Sequence, residues 1–283
     1  MSKELKIDTD NHLLQAKEGE IKIMNPLSPN KGSKFEDKLP DTIILHYTAG
    51  PSVESAVNTL CNPSVKASAH LVIDLDGSIT QLVPFDTIAW HAGKSSHGGR
   101  SGFNKYSIGI EIVNAGKLKP QDGKYAAWWG ELYEKKDVLE AVHQNHSSPA
   151  FWHTYTQEQI DCVLNICITL KEVYSITNIL GHDEIAPSRK VDPGPAFPTE
   201  NIRSRVFGRD EDIEDDPSAD EPATEGVVLA SKLNIRHGPN SSADLAGPPL
   251  TGGTKVKIIG KKNGWYEVEI ARRGWVSKDF LAT

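Results

Sequence analysis

Between residues 42 and 180 the chain switches repeatedly between period two and period 3.6, and this switching limits its fold more than any other feature. Residues 42–46 form an apolar strand-like run that ends on a histidine, His46. Residues 52–61 read as a short helix closed by Asn62-Pro63. Two short runs, 70–73 and 79–83, flank the turn residues Asp74-Leu75-Asp76-Gly77-Ser78 and predict a hairpin. Residues 107–114 alternate strictly. Ile108, Ile110 and Ile112 share one face, and Gly109, Glu111 and Val113 share the other. The clearest helix is predicted over 156–173. Thr156 and Gln159 make a capping-box pattern, and Ile160, Val163, Leu164, Cys167 and Leu170 recur at helical spacing. A strand at 176–180 leads into Gly181-His182. Alternating strands and helices predict an α/β fold with a central mixed β-sheet flanked by helices.

The texture changes on either side of this region. Residues 1–38 are polar and weakly periodic and are expected to form an N-terminal arm. A domain at 39–207 follows. Residues 208–225 hold nine acids and one arginine, too much charge and too little apolar surface to fold alone. They are read as an acidic linker. Residues 226–283 carry a net +5 and five short strand-like runs separated by turn residues, which predicts a small all-β barrel. The overall charge of −7 therefore resides mainly in the linker, and no region is basic enough to suggest nucleic-acid binding. Cys61, Cys162 and Cys167 lack a CxxC spacing and are read as buried apolar residues. No apolar run of about 18 residues occurs, so no membrane span is expected. The first twenty residues lack the apolar core of a signal peptide. That leaves the cytoplasm, release by lysis, a dedicated export machine, or a signal already removed.

Three side chains stand out chemically. His46 ends the first strand, His182 follows the last, and Asp192 lies ten residues on in a loop holding Pro187, Pro193 and Pro195. Two imidazoles and one carboxylate suit a zinc ion that keeps one coordination position open. Glu111 adds a second carboxylate in an apolar strand, and Lys190 adds a cation two residues before Asp192. A metal, a base and a cation are the parts needed to hydrolyse an amide.

Several blocks in order carry a family resemblance: Ile44-Leu45-His46-Tyr47-Thr48, Ser68-Ala69-His70-Leu71-Val72-Ile73, Gln81-Leu82-Val83-Pro84, Ala89-Trp90-His91-Ala92-Gly93, Asn104-Lys105-Tyr106-Ser107-Ile108-Gly109-Ile110-Glu111, and all of 181–195. Over residues 40–200 the chain resembles the zinc-dependent N-acetylmuramoyl-L-alanine amidases of type 2, relatives of peptidoglycan-recognition proteins. The resemblance implies cleavage of the amide between N-acetylmuramic acid and L-alanine in peptidoglycan or muropeptides. It implies one zinc ion on His46, His182 and Asp192. It also implies that Glu111 serves as base and then acid toward a zinc-bound water, and that Lys190 steadies the oxyanion. Phage members carry a cysteine at the third metal position, so Asp192 resembles the recycling amidases and their envelope relatives instead. Some phage members also have a catalytic tyrosine where this chain has Ala69, which gives Glu111 more weight.

By the same resemblance His70 is a structural histidine. Trp90 and His91 are assigned to the wall of the substrate cleft, and Arg100 and Asn114 to polar contacts with peptide or sugar. Residues 121–155, with Trp128, Trp129 and Trp152, match little of the family pattern and read either as a specificity insertion or as packing. Leu233-Asn234-Ile235-Arg236-His237-Gly238-Pro239, Gly264-Trp265-Tyr266 and Gly274-Trp275-Val276 resemble the bacterial SH3-like module. That implies a cell-wall polymer as a partner of 226–283. Two other functions fit the same residues: a non-catalytic peptidoglycan receptor of this fold, and a zinc peptidase cutting within the stem peptide.

Overall fold

A computed structural model describes residues 5–16, 21–208, 225–228, 232–239, 243–262 and 265–270. The N-terminal residues supply four short strands, β1 (Leu5–Asp8), β2 (Leu13–Ala16), β3 (Ile23–Met24) and β4 (Lys31–Lys34). The first domain continues with β5 (Thr42–Tyr47), α1 (Val53–Leu60), β6 (Leu71–Ile73), β7 (Ile79–Gln81) and β8 (Thr87–Ala89). Two-residue strands β9 (Ser96–His97) and β10 (Arg100–Ser101) precede β11 (Ser107–Ile112). Then come β12 (Lys117–Gln121), β13 (Lys124–Ala126), β14 (Leu132–Tyr133), β15 (Val138–Val142) and β16 (Pro149–His153). The domain closes with α2 (Gln157–Val173), β17 (Asn178–Gly181), α3 (His182–Ile185) and α4 (Thr199–Phe207).

The central sheet has the order β17-β5-β11-β6-β7-β3. Strands β17, β5, β11 and β6 run parallel, whereas β7 is antiparallel to β6 and pairs in parallel with β3. The sheet is mixed, as the alternation of elements requires. The arm does more than extend along the domain, because β3 is the sheet's edge strand.

The two faces of the sheet have different tasks. Ile43 and Leu45 of β5 and the isoleucines 108, 110 and 112 of β11 pack in one core with Ile160, Val163, Leu164, Ile166, Cys167 and Leu170 of α2. Helix α2 starts where the capping-box pattern puts it. Thr156 Oγ1 accepts from the Gln159 amide at 3.1 Å, and Gln159 Oε1 accepts from the Thr156 amide at 3.1 Å. The opposite face holds the alternate residues of the same strands. Register pairs Ile44 with Gly109 and His46 with Glu111, so His46 and Glu111 emerge side by side away from α2.

Residues 117–153 form a separate antiparallel sheet of order β14-β13-β12-β16-β15. In the C-terminal segment, β18 (Glu225–Val227), β19 (Lys232–Leu233), β20 (Leu250–Thr251), β21 (Lys255–Lys262) and β22 (Trp265–Glu269) are all short and antiparallel, as a small β-barrel module demands. The Gly274-Trp275-Val276 turn and nearly all of the acidic linker lie outside the described residues. Among the described residues no helix is long and apolar enough to cross a membrane.

Candidate metal centre

Strand β5 brings His46 to its C-terminal end, and the parallel neighbour β17 delivers His182 at the same end of the sheet. The loop after α3 folds back so that the Asp183 amide donates to the Asp192 carbonyl at 2.8 Å. Three donor atoms then meet. His46 Nδ1 and His182 Nδ1 are 2.9 Å apart, and Asp192 Oδ2 lies 3.0 Å from the first and 2.9 Å from the second. All three residues are buried.

Hydrogen bonds on the far side of each ring fix its tautomer. His182 Nε2 lies 3.2 Å from the Ala92 carbonyl oxygen and 3.4 Å from the Arg189 guanidinium; the nearer carbonyl is the acceptor for a proton on Nε2. His91 Nε2 faces the Ser107 carbonyl at 3.2 Å, which leaves His91 Nδ1 as an acceptor. His46 Nε2 is 2.9 Å from that atom and donates to it. Both Nδ1 atoms therefore present lone pairs, and they present them to each other and to a carboxylate oxygen. Burial pushes the His46 imidazole down to about 4, against the upward pull of Asp192, so it stays neutral at neutral pH. Three electron-pair donors facing one point without a proton between them repel unless a cation joins them. The nitrogen and oxygen donor set fits zinc.

Glu111 stands next to His46 on β11. Its Oε2 is buried and has no hydrogen-bond partner. Burial, helped by the Asp192 charge, pushes its carboxyl well above the usual carboxylate range, and the positive charge of Lys190 acts in the other direction. The same lysine charge also reaches His46. One face of the sheet therefore gathers His46, His182, Asp192, Glu111 and the Lys190 charge.

The N-acetylmuramoyl-L-alanine amidase family matches residues 36–195, more than half of the chain. The chain belongs to the N-acetylmuramoyl-L-alanine amidase family. The bacterial SH3 domain family matches residues 231–282. Among curated amidases, the chain is 31% identical over 196 residues to the 1,6-anhydro-N-acetylmuramyl-L-alanine amidase AmpD of Escherichia coli (strain K12), covering 63% of this chain and 89% of that one. It is 30% identical over 175 residues to the N-acetylmuramoyl-L-alanine amidase AmiD of the same organism, covering 59% of this chain and 53% of that one. A solved structure of an AmpD derivative is 28% identical and covers 65% of this chain and 94% of that one, with a TM-score of 0.46.

The four residues that the sequence assigns to the cleft, Trp90, His91, Arg100 and Asn114, have these partners within the protein. His91 stands behind His46 and props it, because Gly109 beneath it has no side chain; a Cβ there would come within 2.3 Å of the His91 ring. Arg100 donates to Asp41 at 2.9 Å and lies 3.9 Å over the Tyr106 ring. Asp41 immediately precedes β5, so the Arg100 guanidinium is anchored at the end of that strand opposite His46; from Asp41 to His46 the strand spans roughly 17 Å at about 3.3 Å per residue. Asn114 is buried. Its Nδ2 donates to the carbonyls of His153 and Thr154, both at 3.2 Å, and its Oδ1 accepts from the Gly116 amide at 2.7 Å. It ties β16 to the end of β11 and has no free polar atom for a ligand. The Trp90 backbone is bonded to Ser68 in both directions, at 3.0 and 2.9 Å, which sets the loop that carries His91. His70 is a satisfied core histidine between the Gly109 amide and the Thr87 carbonyl. Arg189 gave no signal in the sequence. Its guanidinium donates to the carbonyls of Ala92 at 2.7 Å and Lys94 at 2.8 Å, which fastens the metal loop to the His91 loop.

Proposed function

We propose that His46, His182 and Asp192 hold one zinc ion, and that Glu111 and Lys190 act beside it in hydrolysis of the amide between N-acetylmuramic acid and L-alanine. The observation that carries the reading is the meeting of two Nδ1 lone pairs and one carboxylate oxygen within 3.0 Å. When bound, zinc supplies a Lewis acid for the scissile carbonyl and lowers the pKa of a water molecule to about 7.

The remaining steps belong to the chain's own side chains. The unpartnered Oε2 of Glu111 accepts a proton from the attacking water. Because burial raises its proton affinity, the carboxyl retains that proton long enough to give it to the departing L-alanine nitrogen. The C–N bond breaks, the water oxygen stays on the lactyl group as a carboxylic acid and the amine leaves neutral; the acid's proton then passes to that amine, so the products are a carboxylate and an ammonium. The Lys190 ammonium lends positive charge to the carbonyl oxygen while negative charge develops there. The substrate is a muropeptide or intact peptidoglycan. A cell-wall polymer is the proposed partner of 226–283.

Glu111→Gln should keep stoichiometric zinc and lose about 10²- to 10⁴-fold in kcat. Metal analysis and mass spectrometry of digested muropeptides check both. An amidase frees an intact peptide that begins with L-alanine. Cuts inside the stem peptide would make the protein a peptidase, and full activity of Glu111→Gln would remove the base.

A further inference from the structure

The sheet of residues 117–153 meets the 181–195 loop through a buried polar pair. His143, just after β15, donates from Nε2 to Asp183 Oδ2 at 2.8 Å. Both side chains are buried, with 1% and 5% of the residue surface exposed. The His143 tautomer is set by the Asn145 amide, which donates to His143 Nδ1 at 3.1 Å. Asn145 also donates from Nδ2 to the Asp183 carbonyl at 2.9 Å. The His143 ring stacks on Trp152 of β16 at 5.5 Å and 29°.

Asp183 is where the loop's two ends meet. Its amide donates to the Asp192 carbonyl. Its Oδ1 lies over Gly181, where a Cβ would come within 2.2 Å of that oxygen and 2.9 Å of Pro193 Cδ. The Pro193 carbonyl accepts from the Tyr155 hydroxyl at 2.8 Å, and Trp152 covers Gly194. Two residues adjacent to candidate metal ligands, Asp183 beside His182 and Pro193 beside Asp192, are therefore gripped from outside by residues 143–155.

We propose that His143 and Asn145 are positioning residues for the metal. Acting through Asp183, they hold the ends of the 181–195 loop at the separation that lets His182 and Asp192 converge on His46. The inserted sheet is then a brace for the metal centre rather than packing added to one side. The proposal rests on the reading that these three residues bind zinc. A loop held at both ends by such bonds loses little on binding the ion, because its ordering has already occurred on folding.

The test titrates zinc into the metal-free full chain against a chromophoric chelator. Wild type should take up one ion. His143→Leu should bind zinc about 10- to 100-fold more weakly, the usual effect of losing a partner behind a ligand. His143→Gln should recover most of that loss, since its amide nitrogen reaches the position of Nε2. Hydrogen exchange at the Asp183 amide should be faster in His143→Leu and near wild type in His143→Gln. If His143→Leu does not fold, Asn145→Ala decides. It removes one bond made by an exposed residue and should weaken zinc about 3- to 10-fold. Equal zinc affinity in every folded variant, with only a lower thermal midpoint, would reduce the brace to packing. Absence of zinc uptake by wild type would instead overturn the metal reading and the brace with it.

Discussion

At the residue scale, the site depends on groups that stand behind the atoms facing its centre. His46 can offer Nδ1 to a cation only because His91 takes its other proton, and His91 can do so only because the Ser107 carbonyl takes the proton of its Nε2. Gly109 makes this possible by leaving space, since a Cβ there falls 2.3 Å from the His91 ring. Gly109→Ala should therefore tilt His91 and release His46. The expected loss is about 1–3 kcal/mol of stability from overpacking and about 10- to 100-fold in zinc affinity. Urea unfolding and chelator competition measure the two separately. Unchanged zinc affinity would show that His46 keeps its tautomer without the prop. The meeting of His46, His182 and Asp192 was legible because two strand ends and a proline-bearing loop carried these donors. The sequence hid His91, because a histidine in a Trp-His-Ala-Gly turn reads the same whether it faces a ligand or another histidine. The protein partners of Arg100 and Asn114 were hidden for a related reason. A polar residue's partner, such as Asp41 for Arg100, is set by tertiary contacts between segments 59 residues apart.

At the scale of elements, what could be read was what has a period. The isoleucines of β11 and the apolar stripe of α2 point at each other as their spacing requires, and Glu111 follows onto the opposite face by alternation alone. Strand β3 has two residues and therefore no period, so its place at the sheet edge left no trace in the pattern. Helix α2 holds the face that aims the site. Leu170 is fully buried in that contact, so Leu170→Ala should cost about 2–5 kcal/mol. Thr156→Ala should cost about 1 kcal/mol for the cap. A further part is due to the bond from Thr156 Oγ1 to the Leu75 carbonyl at 2.7 Å, which ties the β6–β7 turn to the helix start. Both should lower the urea midpoint with an unchanged slope. A changed slope would mean that α2 and the sheet do not unfold together.

At the scale of the whole molecule, charge separates the parts by task. The segment 208–225 carries −8 and 226–283 carries +5, while the catalytic part is nearly balanced for its length. A segment with a net charge of +5 is attracted to anionic polymers, with a strength that added salt reduces. Among the described residues, 226–283 supplies none to the His46–His182–Asp192 cluster, so its contribution to catalysis would lie in concentrating enzyme on an insoluble substrate. Deleting 226–283 should then leave kcat/KM on soluble muropeptides within about twofold and lower the rate on intact sacculi by roughly tenfold or more, within the range expected when one of two linked binding events is lost. Raising salt from 0.05 to 0.5 M, values chosen to span the screening range, should slow the full chain on sacculi and leave the truncated chain nearly unaffected. Product release measured by chromatography on both substrates separates targeting from catalysis. Equal rates on sacculi with and without the module would show that the amidase finds the wall by its cleft alone.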